Sequence, residues 1–434
     1  MKVKIYNPWA WILTGAIGMA LLVLWVLGFA DLIHHPEILN SDAPGYLEAG
    51  KWLYEGKIHP FRTPGYPFFT GIPFMLGLNE DAARVCLIVF QFGFWLGTAY
   101  VLLHWVKSIT QNVNYGIIAG LVFLSLPGTA VANITTLSEP LSILLSVLSY
   151  YCLYLFWQKG AFKYLNLFFY LAFFNAAVRP GNLYPALAAF ALLFLFVLLK
   201  KVPWRQLLVP AGSMALFYLL PVGTMKSQYG QWRYTFNDNY MVYHYVGSYA
   251  ASIPQSTQIA MYDSFMRADK QFVKDSGTGS NRVDWLARDA YYKSEISKII
   301  RERKKQLVVA WIQDMKENAT TGNPQLMLLK KLKPGNRYAG ILYSLSKWEN
   351  VLFTLGLFLL TGFAVLLWFR NRFRADGVGW MGLFIAGHCV FTVAVSALSF
   401  WQGDRFHIVF YPLVIVLFFL LLFRGMKGHR PSNP

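Results

Sequence analysis

Ten long apolar stretches set the pattern of the chain, at about residues 8–28, 82–104, 115–132, 138–157, 164–180, 183–199, 206–225, 350–369, 378–400 and 406–423. Each is close to the length an α-helix needs to cross the hydrocarbon of a bilayer. Two polar intervals interrupt them, a first loop at 29–81 and a longer one at 226–349. The pattern predicts an all-α polytopic membrane protein with about ten transmembrane helices. Residues 1–225 would carry helices one to seven with the first loop, 226–349 a small external domain, and 350–434 the last three helices and a tail. No internal repeat relates the two halves.

Within the first loop, Tyr46, Leu47, Leu53 and Tyr54 recur at helical spacing, and Glu48, Lys51 and Glu55 fall on the other face. That spacing predicts a short amphipathic helix along the membrane surface. Pro44 suits its first turn and Gly56 its end, and a turn follows at Thr63-Pro64-Gly65-Tyr66-Pro67. In the long loop, Asp284–Val308 reads as an amphipathic helix with Trp285, Tyr291, Tyr292, Ile296, Ile299 and Ile300 on roughly one face. The basic run Arg301–Lys305 lies near its end and suits a solvated or headgroup-facing surface, or a track for an anionic substrate. Thr278–Asn281 and Thr320–Pro324 are turn-rich and are expected to be mobile.

Composition strengthens the membrane reading. Of 434 residues, 56% are hydrophobic and only 14% charged, where a soluble domain carries about a quarter. No convincing cleavage site follows the first apolar stretch, so it is expected to remain as a span. Lysine and arginine then orient the spans. With a cytoplasmic N-terminus, the inside segments hold fourteen basic residues, from Lys2 and Lys4 to Arg372, Arg374 and Arg430, against one acid, Asp376. They contribute +13 of the net +18, the long loop +8 and the first loop −3. Topology and one external loop therefore account for the basicity, and no nucleic-acid partner is implied. The short cytoplasmic connections cannot hold a nucleotide-binding domain, and no phosphate-binding glycine loop or metalloprotease motif is present. The three cysteines, Cys86, Cys152 and Cys389, sit in apolar runs and provide no disulfide framework or metal-ligand spacing.

The same topology gathers several ionisable residues at the external face: Asp42 and Arg62 in the first loop, Glu139 at the start of the fourth span, Arg179 between the fifth and sixth, and Asp404 with Arg405 before the last. Ionisable groups at membrane depth are costly and usually line polar cavities. A carboxylate with several arginines suits transfer of a sugar from a lipid phosphate: the carboxylate takes the acceptor's proton, and arginine forks hold the departing phosphate. Each residue also has a plainer use. Asp42 could cap the helix that begins near Pro44, and Arg62 could pin the loop to carbonyls. Tyr46 and Tyr66 could be interfacial aromatics or sugar platforms. Glu139 could be satisfied by helix amides or a neighbouring arginine, and Arg179 and Arg405 could pair with Glu139 or Asp404. His388 and His407 read as hydrogen-bonded core histidines. Asn133 and Asn318 stand in short N-x-S/T matches that carry little weight.

An acidic residue with a Tyr four later, then Ala-x-x-x-Leu-x-x-Gly spacing and Arg62-Thr63-Pro64-Gly65-Tyr66-Pro67, resembles the first external loop of GT-C glycosyltransferases. These include the lipid A aminoarabinose transferases and protein O-mannosyltransferases. The resemblance is close in the first loop, looser around Glu139, Arg179 and Arg405, and absent from 226–349. It implies a GT-C fold and inverting transfer of a sugar from a polyprenyl-phosphate donor to a lipid, glycan or protein acceptor at the external face. In a bacterium that face belongs to the inner membrane. It casts Asp42 as the base and Tyr46, Arg62, Tyr66, Glu139, Arg179 and Arg405 as donor- or substrate-binding residues, with no cofactor. Ala43 stands where many relatives carry a second acidic residue, which leaves a metal requirement open. Two other readings stand beside this one: an outward-facing transporter or lipid-linked-sugar flippase, and a ligase or polymerase using lipid-diphosphate donors.

Overall fold

The computed structural model describes residues 7–29, 42–275, 285–370, 377–399 and 402–427. Every regular element among them is helical. Seven helices are long and apolar enough to cross a membrane, or eight if one bent pair is a single span. The chain is thus a multi-pass integral membrane protein. They are α1 (Pro8–Leu27), α4 (Glu80–Thr110), α7 (Glu139–Lys159), α9 (Pro180–Leu198), α10 (Trp204–Tyr229), α16 (Arg337–Arg370) and α17 (Gly377–Ser396). The bent pair is α5 (Val113–Leu124) and α6 (Pro127–Ile134), which meet at 63°.

Of the ten stretches expected from hydropathy, seven or eight meet this length and composition among the described residues. The stretch at 115–132 breaks, because Pro127 cannot donate to the preceding turn and starts a new helix instead. The stretches at 164–180 and 406–423 become shorter helices, α8 (Phe162–Val178) and α18 (Tyr411–Lys427), with Tyr411–Phe423 as the apolar part of the latter. Local chemistry sets the ends of several spans. Asn7 caps α1 through Trp9 N at 3.0 Å, and Asn79 caps α4 through Ala82 N at 2.9 Å. Gly160 closes α7 in the left-handed conformation with φ 66°.

The first loop is more folded than a loop. It forms α2 (Ala43–Tyr54) and α3 (Gly65–Met75). The predicted amphipathic helix exists, but its inner face packs on protein. Ala43, Tyr46, Leu47 and Ala49 are buried, and a Cβ at Gly50 would lie 2.7 Å from Gly71 N of α3. Glycine is required for that backbone approach. Gly65 is required for another: its Cβ would lie 2.6 Å from the Ala177 and Val178 backbone at the end of α8.

The long interval begins later than expected, after α10 ends at Tyr229. It contains α11 (237–252, with a π-helical middle), α12 (Gln258–Asp275), α13 (Trp285–Glu302), α14 (Lys304–Thr320) and α15 (Pro324–Leu332). The predicted helix at 284–308 is divided at Arg303, so the basic run straddles a break. The 320–324 stretch, expected to be a mobile turn, is packed against its neighbours. Gly322 packs so closely on α16 that a Cβ would lie 2.7 Å from Tyr343 O, and Asn323 Oδ1 caps α15. Thr278–Asn281, Asp284 and the basic residues Lys2, Lys4, Arg372, Arg374 and Arg430 lie outside the described residues, with residues 30–41 of the first loop.

Candidate functional site

Asp42 stands at the N-cap position of α2 but makes no capping hydrogen bond. Its carboxylate is turned to two arginines. Oδ1 accepts from Arg62 Nη2 at 2.8 Å, and Oδ2 pairs with Arg405 Nη2 at 2.6 Å. Arg62 arrives on the connection between α2 and α3. Arg405 comes from the 3₁₀ turn Gly403–Phe406 that leads into α18.

Arg405 is held from behind. Its Nε donates to Glu139 Oε1 at 2.7 Å and its Nη1 to Gln402 Oε1 at 3.2 Å. The same Glu139 oxygen lies 2.8 Å from Arg179 Nη1, an ion contact without hydrogen-bond alignment. Arg179 also stacks over Phe406 at 5.1 Å. A chain of charges thus runs Arg62–Asp42–Arg405–Glu139–Arg179, three cations to two anions. Its exposure is graded: the Glu139 side chain is 1% exposed and that of Asp42 is 26%. The network is sealed at Glu139 and open at Asp42. Burial alone would raise the Asp42 carboxyl, but the guanidiniums of Arg405 and Arg62 outweigh it and hold the group well below the usual carboxylate range.

The tyrosines complete the inner wall. Tyr46 donates to Ser138 Oγ at 3.1 Å, its ring lies under Arg62 at 4.4 Å, and Tyr66 meets it edge-on at 4.9 Å. Both rings are buried, so they serve as packing around Arg62. The Tyr66 hydroxyl has no hydrogen-bond partner among the described residues. All seven residues singled out from the sequence therefore converge on one site. His59, pushed down to about 4 by burial and the Arg62 charge, is neutral beside it.

Asp404 is not the partner of either arginine. It points away from Arg405, fully buried beside Glu349 of α16. Asp404 Oδ1 accepts from Asn323 Nδ2 at 3.2 Å, and Glu349 Oε2 from Gly128 N at 3.3 Å. Asp404 Oδ2 and Glu349 Oε1 both crowd the space a Cβ at Gly128 would take. Burial pushes the Asp404 carboxyl well above its ordinary range. Glu349 was not among the sequence candidates; the one available signal was a lone acid bordering the apolar run after Asn350.

The histidines are hydrogen-bonded core residues. His407 bonds Asn350 Oδ1 at 2.7 Å and Ser396 Oγ at 3.1 Å. His388 bonds Tyr150 OH at 2.7 Å and Asn182 Oδ1 at 3.3 Å. From Asn182 a polar chain continues through Ser142 and Asn175 to Ser146. It borders a cavity of about 20 Å³, room for a water molecule. Asn133 and Asn318 are buried, and Asn318 Nδ2 donates to Ser396 O and Ser399 O, so neither presents a glycosylation site. Among the described residues, no three of His, Cys, Asp and Glu converge as a metal site would require.

The end of α10 and the segment after it meet the first loop beside this site. Phe236 N and Thr235 Oγ1 donate to Pro60 O at 2.8 and 3.1 Å. Gln228 Oε1 accepts from Ile58 N at 3.0 Å, and Tyr229 OH donates to Ile58 O at 3.2 Å. Phe61, next to Arg62, meets Tyr240 of α11 at 5.3 Å and Trp285 of α13 at 4.5 Å. No known protein-family model matches the chain, and comparison with curated proteins finds no match.

Proposed function

We propose that the protein is a membrane glycosyltransferase of GT-C type. It would have about ten membrane-crossing helices, cytoplasmic termini and an external active site, and would move a sugar from a polyprenyl phosphate to an acceptor hydroxyl. The observation that carries this reading is the Asp42 carboxylate, bridging Arg62 and Arg405 at the open end of a charge network sealed behind by Glu139 and Arg179. A carboxylate beside two arginine forks, in a site of net positive charge, meets both demands of the reaction. The acceptor oxygen forms a bond to the anomeric carbon as its proton passes to Asp42. The bond from that carbon to the phosphate oxygen breaks, and its electron pair leaves with the phosphate, whose charge the arginines offset.

The resting geometry adds a step. A carboxylate tied to two guanidiniums is a weak base. The donor phosphate competes for the same N–H groups, and Arg405 can turn its Nη2 to the phosphate while Glu139 keeps hold of Nε. Asp42 is released and becomes more basic when the donor is in place. The test is transfer by the reconstituted full chain from radiolabelled polyprenyl-phosphate sugars to membrane acceptors. Label transfer by wild type and its loss in Asp42→Asn at unchanged folding supports the reading. Transfer from lipid diphosphates alone replaces it with the ligase or polymerase reading.

A transporter or flippase is the second reading, favoured by the polar chain from His388 to Ser146 at membrane depth. Its side chains bond one another around a space for about one water, which suits internal packing better than passage of a lipid-linked sugar. Movement of labelled lipid across the bilayer without transfer would promote it.

A further inference from the structure

The long interval has no role in the chemistry above, yet it sets aromatic rings against Phe61, the residue before Arg62. Tyr240 and Tyr245, on α11, are near enough for the Asp42 charge to bear on both hydroxyls, adding to burial, which is the main cause that raises them. Tyr245 pairs with Tyr262 of α12 at 5.7 Å. Phe61 links Tyr240 and Trp285 to the loop that carries Arg62. These five rings are partly exposed, whereas Tyr46 and Tyr66 are buried inside the site.

The ledge is fixed in place. Behind it, Asp269 bonds Arg288 and accepts from Tyr292 OH at 2.9 Å, and His244 Nε2 lies 3.5 Å from Asp269 Oδ2. Tyr240 packs on His244 at 4.3 Å and on Tyr292 at 5.9 Å. In front, the clasp on Ile58 and Pro60 ties the ledge to the first loop. Arg288, stacked over Trp285 at 5.3 Å, is committed to Asp269. The surface is thus aromatic and hydroxyl-rimmed, and it lies against the loop that carries Arg62. A neutral pyranose suits such a surface, its C–H face laid on a ring.

We infer that Tyr240, Tyr245, Tyr262, Trp285 and Phe61 form the acceptor subsite, which takes a neutral carbohydrate ring and presents its hydroxyl to Asp42. The inference rests on the transferase reading, and the donor would lie on the arginine side. On this view the terminal sugar of a glycan or glycolipid is the acceptor, rather than a protein side chain or a phosphorylated lipid.

The experiment uses the full chain in nanodiscs, labelled polyprenyl-phosphate sugar as donor, and a neutral glycolipid and glycan extract of membranes as the varied acceptor. Tyr240→Leu and Tyr245→Leu keep bulk but remove the ring, and Tyr240→Phe and Tyr245→Phe keep the ring. The expected result is a half-saturating acceptor level raised about tenfold in the Leu variants, with the donor level unchanged and the Phe variants near wild type. Farnesyl phosphate binding, scored separately, reports that the arginine side is intact in each variant. Should the Leu variants shift the donor level instead, or shift neither, the subsite is refuted and the transferase stands. Transfer only to protein or to phosphorylated lipid also refutes it. If wild type transfers no label to this extract but does to total membrane protein or phosphorylated lipid, the subsite alone fails; if it transfers none to any of the three, the transferase reading fails and the subsite with it.

Discussion

At the scale of single residues, the transferase reading gives Asp42 two opposed effects on substrate, and one substitution separates them. As base it is needed for transfer, so Asp42→Asn lowers the rate by about 10²–10⁴-fold. As resident partner of Arg62 and Arg405 it competes with phosphate, so the same variant binds farnesyl phosphate about two- to fivefold more tightly, the order expected for one partly exposed ion pair. Calorimetry checks this, and unchanged or weaker binding refutes the competition. Asp314 on α14 gives a pH prediction. It is buried with no partner for either oxygen among the described residues, and burial, then the Glu317 charge, raises it to about 9 from near 3.8. The unfolded chain releases this proton near the lower value while the fold retains it, so stability declines as pH rises between the two. Asp314→Asn therefore raises the melting temperature by a few degrees at pH 8 and little at pH 4. All seven site residues were legible in the sequence, because each is a polar or aromatic side chain at the outer edge of an apolar run. Their pairings were not. Whether Arg405 meets Glu139 or Asp404 depends on a turn in which neighbours point opposite ways, and no periodicity encodes that.

At the scale of elements, the Arg-Thr-Pro-Gly-Tyr-Pro stretch serves the site through Gly65 as much as through Arg62. A side chain at Gly65 meets the Ala177 and Val178 backbone, just before Arg179. Gly65→Ala should cost about 1–3 kcal/mol of stability, as overpacking does, and should weaken farnesyl phosphate binding by shifting Arg62 relative to Arg179. Thermal melts and calorimetry read the two effects. Element type was legible throughout, since uninterrupted apolar runs admit little but helix. Element length was not. Hydropathy sums composition along a window and does not register that Pro127 bends one run or that the run before Arg179 stops at Val178. The folded first loop was half legible: Tyr46 and Leu47 marked its inner face, but the glycine contacts that dock it on α3 carry no pattern.

At the scale of the whole molecule, the charge distribution predicts which segments face outward. Single cysteines introduced at Arg267 and at Lys163, in a background with the native cysteines replaced, should differ. An impermeant reagent labels the first on intact cells and the second only after permeabilisation. The opposite pattern inverts the topology and removes the external site. The 226–349 interval was legible as a distinct segment but not as a lid on the first loop, because that contact runs through backbone carbonyls at Ile58 and Pro60. One feature reaches across the whole fold. Asp404 and Arg405 occupy adjacent places on a tight turn, one pressed into the bundle against Gly128, the other presented to the site. The two arms share one short turn, so a displacement of the inner one bears on the outer. A methyl group added at Gly128 would displace the acid and, through the turn, disturb the pairing of Arg405 with Asp42 and Glu139. On the transferase reading, activity is therefore open to loss from inside the bundle, without any change to the charge network itself.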